Sequence, residues 1–466
     1  MRERFEVGIV GSGYAGLVTG ACLAFLGRRV RCVDKDEGRV ASLAGGRLPI
    51  YEPGLEELVK RDLRWEKLTF EGPEGLAKIV GEADLLLIAV GTPQNGNGSA
   101  DLSSVAEVAQ RIGHALAGMD RERPLVVVNK STAPVGCGDY VSMLIREGIE
   151  EAGGPGGAQA DGSFRVASNP EFLREGSAVY DFLFPDRIVV GTSSRIALDA
   201  LRTLYEPVIE QSFPTELDPR PQVRVPFVTT DLASAEMIKY AANAFLATKI
   251  SFINEVADLC ELTGADAVEV ARGIGLDVRI GPRFLSAGIG WGGSCFPKDV
   301  AALRAAAREY ERRTPLLDAA VAVNERQRKR VVQKLQRNLR TLKGKRVALL
   351  GLSFKPNTDD LREAPSLELA RCLNSLGARA VGYDPVAGKA ASRVCPSLKV
   401  VFDPYEALDG AHGAVLVTEW EEVRELDWRR VASLMEFPRV FVDGRNALDA
   451  GEVRAAGIRY RGFGRG

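Results

Sequence analysis

Residues 5–16, FEVGIVGSGYAG, decide the fold. The apolar run FEVGIV reads as a buried strand, and Gly11-Ser12-Gly13-Tyr14-Ala15-Gly16 follows it directly. The stretch LVTGACLAFLG reads as the next helix, and RRVRCVD as a second strand ending at Asp34. Alone, such a glycine pattern is a weak signal. Set between a strand and a helix, with an acidic residue about 20 positions on, it has the context of a dinucleotide site. The glycines Gly11, Gly13 and Gly16 permit the tight turn and let a pyrophosphate approach the helix N-terminus. Asp34 is placed to accept ribose hydroxyls, and its charge repels a 2′-phosphate, so NAD is expected over NADP. Lys35 and Arg39 soften that preference, because a nearby cation can pair with a phosphate.

Outward from this unit the pattern repeats. DLLLIAV (84–90) is a continuous apolar run ending in Gly91-Thr92-Pro93, and LVVVNKST (125–132) leads into Ser131-Thr132-Ala133-Pro134-Val135-Gly136. Such runs suit parallel strands covered on both faces. Ligands of open parallel sheets bind beyond the carboxyl ends of the strands. Gly11–Gly16, Gly91–Pro93 and Ser131–Gly136 are therefore expected to line one crevice. Leu48-Pro49-Ile50-Tyr51-Glu52-Pro53-Gly54-Leu55 reads as a compact turn before a helix. Residues 152–163, AGGPGGAQADGS, read as a flexible surface loop. The strand FRVAS leads into Asn169-Pro170-Glu171-Phe172-Leu173-Arg174-Glu175-Gly176, and Asp186–Gly191 reads as another strand. Glu171 and Glu175 are four apart, so on a helix they would share a face. A solvated acidic face is the ordinary alternative for such a pair.

Residues 213–226 are rich in Pro and charge and read as a connection between domains. From about 229 to 262 the spacing predicts one long helix with few exposed-type positions, ended by Gly264. Burial on several sides is expected, including at a subunit interface. Lys239 and Asn243 stand four apart on it; a lysine in this setting can also simply reach solvent. Next comes Gly290-Trp291-Gly292-Gly293-Ser294-Cys295-Phe296-Pro297-Lys298-Asp299. Pro297 suits the first helical position, with Lys298 and Asp299 in the same turn. Cys295 would then sit at the positive end of a helix dipole with Lys298 nearby, and both favour a thiolate. A tight turn around a buried thiol is the other reading. Cys137 also follows a strand-end loop, but without an adjacent Lys and Asp, so it reads as a packing residue. A second α/β unit follows: strands at 346–354, ARAVGYDP, 414–420 and 439–446, with no G-x-G-x-x-G. It is expected to bind something other than a second dinucleotide, or to close over the first domain's ligand.

The chain has 466 residues, too many for one core. The expected fold is α/β, with two Rossmann-like doubly wound domains joined by a long central helix and a small helical domain. The boundaries read as 1–212, 213–335 and 336–466. Charge is balanced, with 61 Lys+Arg against 62 Asp+Glu, which argues against nucleic acid and anionic membranes as partners. No apolar run reaches the length of a membrane span. MRERFEVGIVGSG runs straight into a strand without a hydrophobic signal segment, and the seven cysteines form no C-x-x-C pair, so reduced thiols in the cytoplasm are expected. His114 and His412 are the only histidines, and both read as surface or structural. Acid–base chemistry therefore falls to Lys, Asp, Glu or Cys, and no metal site is expected.

Taken together and in this order, GSGYAG, PIYEPGL, STAPVG, NPEFLREG, the KYAAN helix, GWGGSCFPKD, GLSFKPNTDDLRE and FVDGRN resemble the UDP-glucose/GDP-mannose dehydrogenase family. The resemblance runs from about residue 5 to about 447. It implies an NAD-dependent enzyme that oxidises a sugar nucleotide twice at C6, from alcohol to carboxylate. An aldehyde has no second hydride to give until something adds to it, and a thiolate does so.

On this resemblance Cys295 is the nucleophile and Asp299 the base. Lys239 and Asn243 stabilise the oxyanion, and Thr132 and Glu171 position the water, Glu171 also being a candidate acid–base. The cofactor residues implied are Gly11, Gly13, Tyr14, Ala15, Asp34, Lys35, Arg39, Gly91, Thr92, Thr132, Glu175, Lys298 and Arg362. Substrate contacts are implied for Glu171, Phe172, Leu173, Lys239, Asn243, Phe284, Gly288, Gly292, Cys295, Phe354, Lys355 and Arg445. Lys355 and Arg445 are the cations expected on the diphosphate or the sugar. Trp291 is bulkier than expected between the loop glycines and is a candidate to reshape the sugar pocket. UDP-glucose is the substrate the pattern most resembles, with GDP-mannose and N-acetylated UDP-sugars as alternatives. A one-step hydroxy-acid dehydrogenase, which would not need Cys295, and a non-enzymatic NAD sensor are the readings from other classes. A homodimer or larger assembly held by the long helix is expected.

Overall fold

The computed structural model describes residues 5–214 and 224–465. Residues 215–223 of the expected connection lie outside the described residues. The chain clusters into two compact units, residues 1–241 and 242–466.

The first unit is built on β1 (Glu6–Val10), β2 (Arg29–Val33), β3 (Leu68–Glu71), β4 (Leu85–Ile88), β5 (Leu125–Asn129), β6 (Phe164–Ser168), β7 (Ile188–Gly191) and β8 (Phe227–Thr230). They form one sheet in the order β3-β2-β1-β4-β5-β6-β7-β8. All pairs are parallel except β6 with β7. The order reverses between β1 and β4, the switch point at which such sheets open a ligand crevice.

The continuous apolar runs now have their reason. Val7, Ile9, Leu85, Leu87, Val126 and Val128 join the core on one face, and Val10, Leu86, Ile88, Leu125 and Val127 the core on the other. Alternate residues point to opposite faces, so a sheet covered on both needs every position apolar. Each such side chain contributes about 1.5–3 kcal/mol of burial. Gly8 is the exception with a cause: a Cβ there would lie 2.2 Å from Ile79 Cγ2 and 2.5 Å from Leu86 Cδ1.

The second unit holds β9 (Arg346–Leu350), β10 (Arg379–Tyr383), β11 (Lys399–Val401), β12 (Gly413–Leu416), β13 (Val440–Asp443) and β14 (Arg459–Arg461). Their order is β11-β10-β9-β12-β13-β14, all parallel. Both units therefore share the doubly wound order around their first strand, as expected.

The long helix runs from Leu232 to Thr263, not from 229. Thr229 and Thr230 belong to β8, and the Asp231 carboxylate accepts the Ser234 N–H (2.7 Å), which caps the helix so that it starts three residues later than its periodicity suggests. Gly264, at φ +80°, ends it. Within the second unit its Ile253, Ala257 and Cys260 enter the core beside β9 and β13. Among the described residues, no helix is long and apolar enough to cross a membrane.

Candidate active site

In the first unit the glycine loop after β1 is shaped by contact. Gly11 sits at φ +99°, and a Cβ there would lie 2.6 Å from the Ala89 carbonyl oxygen. A Cβ on Gly16 would meet the Gly11 carbonyl at 1.9 Å. Above Gly13 the space is open, and Gly13 begins the helix Tyr14–Phe25 with no side-chain cap and no acidic residue in the first turn. Uncapped N–H groups at an open helix N-terminus are what a pyrophosphate requires. Asp34 follows β2 and accepts from Ser12 N (2.7 Å), Ser12 Oγ (2.8 Å), Asp36 N (3.0 Å) and Arg39 Nη1 (3.1 Å). Burial alone raises its carboxyl; these four donors outweigh that and hold it below the usual carboxylate range. Arg39 is thus engaged by Asp34, and Lys35 lies 3.6 Å from Glu107, so both cations that could favour a 2′-phosphate face carboxylates. These residues fit NAD.

The other strand-end loops join this crevice. Thr92 Oγ1 donates to the Thr132 carbonyl (2.6 Å) and Ser131 Oγ to the Val90 carbonyl (2.8 Å), which locks Gly91–Pro93 to Ser131–Gly136. Glu236, from the long helix, accepts from Gly136 N (2.7 Å) and Gly138 N (2.8 Å) at the start of the helix Cys137–Glu151. Burial pushes its carboxyl up to about 7, against the pull of those two N–H groups.

Glu171 and Glu175 do not share a helical face. Residues 169–177 are irregular, and the next helix, Ala178–Leu183, begins only after Gly176 at φ +82°. Pro170 disfavours the helical region at Asn169, and Gly176 supplies a left-handed turn. The two carboxylates have separate tasks. Glu171 Oε1 accepts from Lys239 Nζ (3.1 Å) and Oε2 from Leu173 N (2.6 Å). Burial alone raises its carboxyl, but Lys239, the Leu173 N–H and Lys130 together hold it down, so it is ionised at neutral pH. Lys239 and Arg187 both lie over the Phe172 ring, at 5.4 and 3.6 Å. Glu175 is buried, and its charge and that of Glu52 act on the Tyr14 hydroxyl.

Lys130 was not singled out from the sequence. It is buried, with Nζ donating to Asn169 Oδ1 (3.1 Å) and Tyr205 Oη (3.3 Å). Burial pushes its amine down to about 8, opposed by Glu171 and reinforced by Lys239. The available signal was a lysine inside an apolar run. Lys130, Asn169, Glu171, Phe172, Arg187 and Tyr205 line one cavity of about 50 Å³, room enough for water.

In the second unit Cys295 stands immediately before the helix Phe296–Glu309, as its N-cap, with Pro297 at the second helical position rather than the first. The thiol is half-buried, and Ser294 Oγ lies 3.6 Å from Sγ. One turn on, Asp299 is buried; its Oδ1 accepts from Lys298 Nζ (2.7 Å) and its Oδ2 from Asn243 Nδ2 (2.6 Å). The Asp299 N–H closes the turn on the Cys295 carbonyl (2.9 Å).

The glycines of this loop answer to neighbours. A Cβ on Gly292 would lie 2.2 Å from the Glu363 carbonyl, and one on Gly293 (φ +83°) 2.6 Å from the Phe354 ring. Arg445 spans the site: Nε donates to the Val417 carbonyl (2.7 Å), Nη2 to Phe354 (2.9 Å) and Nη1 to Gly290 (3.3 Å), with Glu419 3.3 Å from Nε. Its guanidinium is therefore a clamp on two strand-end loops and the cysteine loop. Gly288 N donates to Asn254 Oδ1 (2.7 Å), and a Cβ on Gly288 would meet the Gly444 carbonyl at 2.3 Å. Phe284, at φ +65°, faces the Phe296 ring at 6.1 Å. Lys355 lies over the Phe354 ring at 5.5 Å, and Arg362 makes a two-nitrogen contact with Asp360 (2.8–3.0 Å). Trp291 is buried within the cysteine loop. Its Nε1 donates to Ser251 Oγ (3.0 Å), and the ring packs with Ala244, Ala247 and Val300.

The second sheet carries a counterpart of Asp34. Asp384, after β10, stands where Asp34 stands after β2, and accepts from Leu352 N (2.7 Å), Ser353 N (2.9 Å) and Ser353 Oγ (3.1 Å). Here Trp420 Nε1 also donates to it (3.1 Å), and the carboxylate is buried. The indole N–H thus occupies an acceptor position on this carboxylate.

Comparison with known proteins agrees with this division. The UDP-glucose/GDP-mannose dehydrogenase family's NAD binding domain matches residues 5–209, its central domain residues 233–326 and its UDP binding domain residues 348–450. A UDP-glucose 6-dehydrogenase of Rhizobium meliloti (strain 1021) is 44% identical over 465 residues, covering 99% of each chain. UDP-glucose 6-dehydrogenase TuaD of Bacillus subtilis (strain 168) is 42% identical over 461 residues, 99% of this chain and 93% of its own. The structure of a UDP-glucose dehydrogenase from Pyrobaculum islandicum superposes with a TM-score of 0.87 at 38% identity, covering 100% of this chain and 99% of that one. With an NAD-fitted glycine loop, a helix-start cysteine and these matches along nearly its whole length, the chain belongs to the UDP-glucose/GDP-mannose dehydrogenase family.

Proposed function

We propose that the chain oxidises UDP-glucose twice at C6, alcohol to aldehyde to carboxylate, and releases UDP-glucuronate. The observation that carries this reading is the Cys295 cluster: a thiol at a helix start, with Asp299 one turn on held by Asn243 and Lys298. A single oxidation has no need of a nucleophile; a second one at the same carbon does. The named relatives act on UDP-glucose, which selects that sugar nucleotide.

Bound NAD supplies the hydride acceptor, one molecule for each oxidation. Asp299 takes the C6 hydroxyl proton, directly or through water. Cys295, as thiolate, adds to the aldehyde carbon and gives a thiohemiacetal, whose oxidation leaves a thioester. Water then breaks the C–S bond and returns the thiol. Lys239 and Asn243, four residues apart on one helix, stabilise the oxyanion. Thr132 and Glu171 position the water. Glu175, Lys298 and Arg362 complete the cofactor contacts. Phe284, Gly288, Gly292, Phe354 and Lys355 hold the UDP-sugar, with Arg445 fixing the loops around it.

We assign cofactor binding to residues 1–212, the central helices and the nucleophile to 213–335, and the nucleotide to 336–466. The thiol chemistry suits the reducing cytoplasm. We also assign a second copy of this chain to the long helix. Phe245, Phe252 and Leu259 recur every seven residues and are 66%, 57% and 59% exposed, a stripe of the kind a partner helix covers.

The decisive measurement is NADH formed per sugar consumed, with UDP-glucose beside GDP-mannose and N-acetylated UDP-sugars. Two NADH per UDP-glucose is the expected result. A ratio of one, or turnover of a small hydroxy acid instead, would sink the reading.

A further inference from the structure

The turn Leu48–Leu55 has no part in the chemistry above, yet its Glu52 is one of the most heavily engaged carboxylates of the first unit. It is 5% exposed. Oε1 accepts from Ala178 N at 2.7 Å, and Oε2 accepts from Gly176 N at 2.6 Å and from the Tyr14 hydroxyl. One side chain thus joins three segments distant in sequence: the turn itself, the first helical residue of the glycine loop and the end of the segment that carries Glu171 and Glu175.

The three bonds have distinct consequences. Tyr14 opens the helix whose N-terminus is fitted to the pyrophosphate. Gly176 and Ala178 follow Glu175 within three residues. Residues 171–177 are irregular and get no support from a helical ladder, so they need external anchors. Lys239 and the Leu173 N–H anchor the Glu171 end. Glu52 anchors the other end. Burial and the charges of Glu52 and Glu175 raise the Tyr14 hydroxyl well above its ordinary value, so it stays a protonated donor with both carboxylates near it. A buried carboxylate demands such donors, and a lost one is not replaced by water.

We propose that Glu52 is a positioning residue for the cofactor, acting through Tyr14 to hold the glycine loop and the Glu175 segment in register. The proposal rests on the assignment of this crevice to NAD, and it extends to the turn that precedes Glu52. Tyr14 and Glu52 then act as one device: either alone is without use, so removing both costs little more than removing one.

The test uses the full-length protein with three variants, Tyr14→Phe, Glu52→Gln and the pair. Tyr14→Phe removes a single oxygen, and Gln offers Gly176 and Ala178 only one acceptor in place of two. NAD binding is followed by titration without sugar nucleotide, and KM is measured for NAD and for UDP-glucose separately. The expected result is about a tenfold rise in the NAD dissociation constant and in KM for NAD with Tyr14→Phe, the scale of one charge-assisted hydrogen bond. KM for UDP-glucose stays within about twofold, and the double variant falls within about threefold of the weaker single variant. A Tyr14→Phe protein that binds NAD like the wild type overturns the proposal, whatever Glu52→Gln does. So does a double variant whose loss is the product of the two, or a loss shared equally by NAD and UDP-glucose. Failure of the functional reading shows elsewhere, as wild-type protein that binds NAD but leaves UDP-glucose unoxidised.

Discussion

Cys295 and Lys130 show how far single residues carry the argument. For Cys295 the local sequence supplied the helix start, and the structure places the thiol there as N-cap. Replacing it with Ser keeps the shape but removes the thioester route. Turnover to the carboxylate should fall by about 10³-fold or more, with a thermal midpoint near that of the wild type. Full turnover in that variant would remove the nucleophile from Cys295. Lys130 makes a pH prediction. Its amine is pushed down to about 8 from an ordinary 10.5, so between those values the unfolded chain binds more protons than the folded one. Its contribution to stability therefore grows as pH rises through about 8 and is absent below. From pH 7.5 to 9.5, urea unfolding should shift in favour of the wild type over Lys130→Met by about 1–2 kcal/mol. An unchanged gap would mean that the buried amine titrates normally. Asp34 was legible because a motif fixes its distance from the glycines. Lys130 was not, because its partners Asn169 and Tyr205 lie 39 and 75 residues away.

At the scale of elements, caps and loop clamps hold the site together. Glu236 fastens the long helix to the start of the helix Cys137–Glu151, and so to the loop that carries Thr132. Truncating it to Ala leaves two helix-end N–H groups unpaired, at a cost of about 1–3 kcal/mol. Its folded pKa is raised from 4.5 to about 7, so its contribution is complete below pH 4.5 and declines as pH rises through 7. The gap between wild type and Glu236→Ala, from denaturant unfolding, should be wider at pH 5 than at pH 8. The reverse order would show that the Gly136 and Gly138 N–H groups outweigh burial. Strands and helices were legible from apolar runs and period. The segment 169–177 was not, because Glu spacing alone carries no information about Pro170 and Gly176 breaking the helix. Trp291 shows the same limit. Its size suggested a pocket residue, and only the packing shows Ser251 and the alanines of the long helix holding it.

Over the whole chain, two sheets of like order each carry a carboxylate after the strand beside their first: Asp34 near an open glycine loop, Asp384 bonded to the Trp420 indole. The proposed assembly is also a property of this scale. Phe252→Asp would put a charge into the middle of the exposed stripe of the long helix, and light scattering should then report monomers where the wild type forms dimers or larger assemblies. A wild-type monomer at micromolar concentration would reject the partner assigned to that face. The sequence by itself determined the α/β class, the two doubly wound halves, the NAD preference and the cysteine loop. Each of these is written in local periodicity or in residues a fixed short distance apart. Only the tertiary structure decided which donors meet Asp299 and Glu171, that Arg445 is spent on carbonyls, and that Glu52 ties three segments together. Asn243 and Asp299 are 56 residues apart, and Lys239 and Glu171 are 68. No local rule sets the direction of side chains across such distances; the packing of helices on the sheet does.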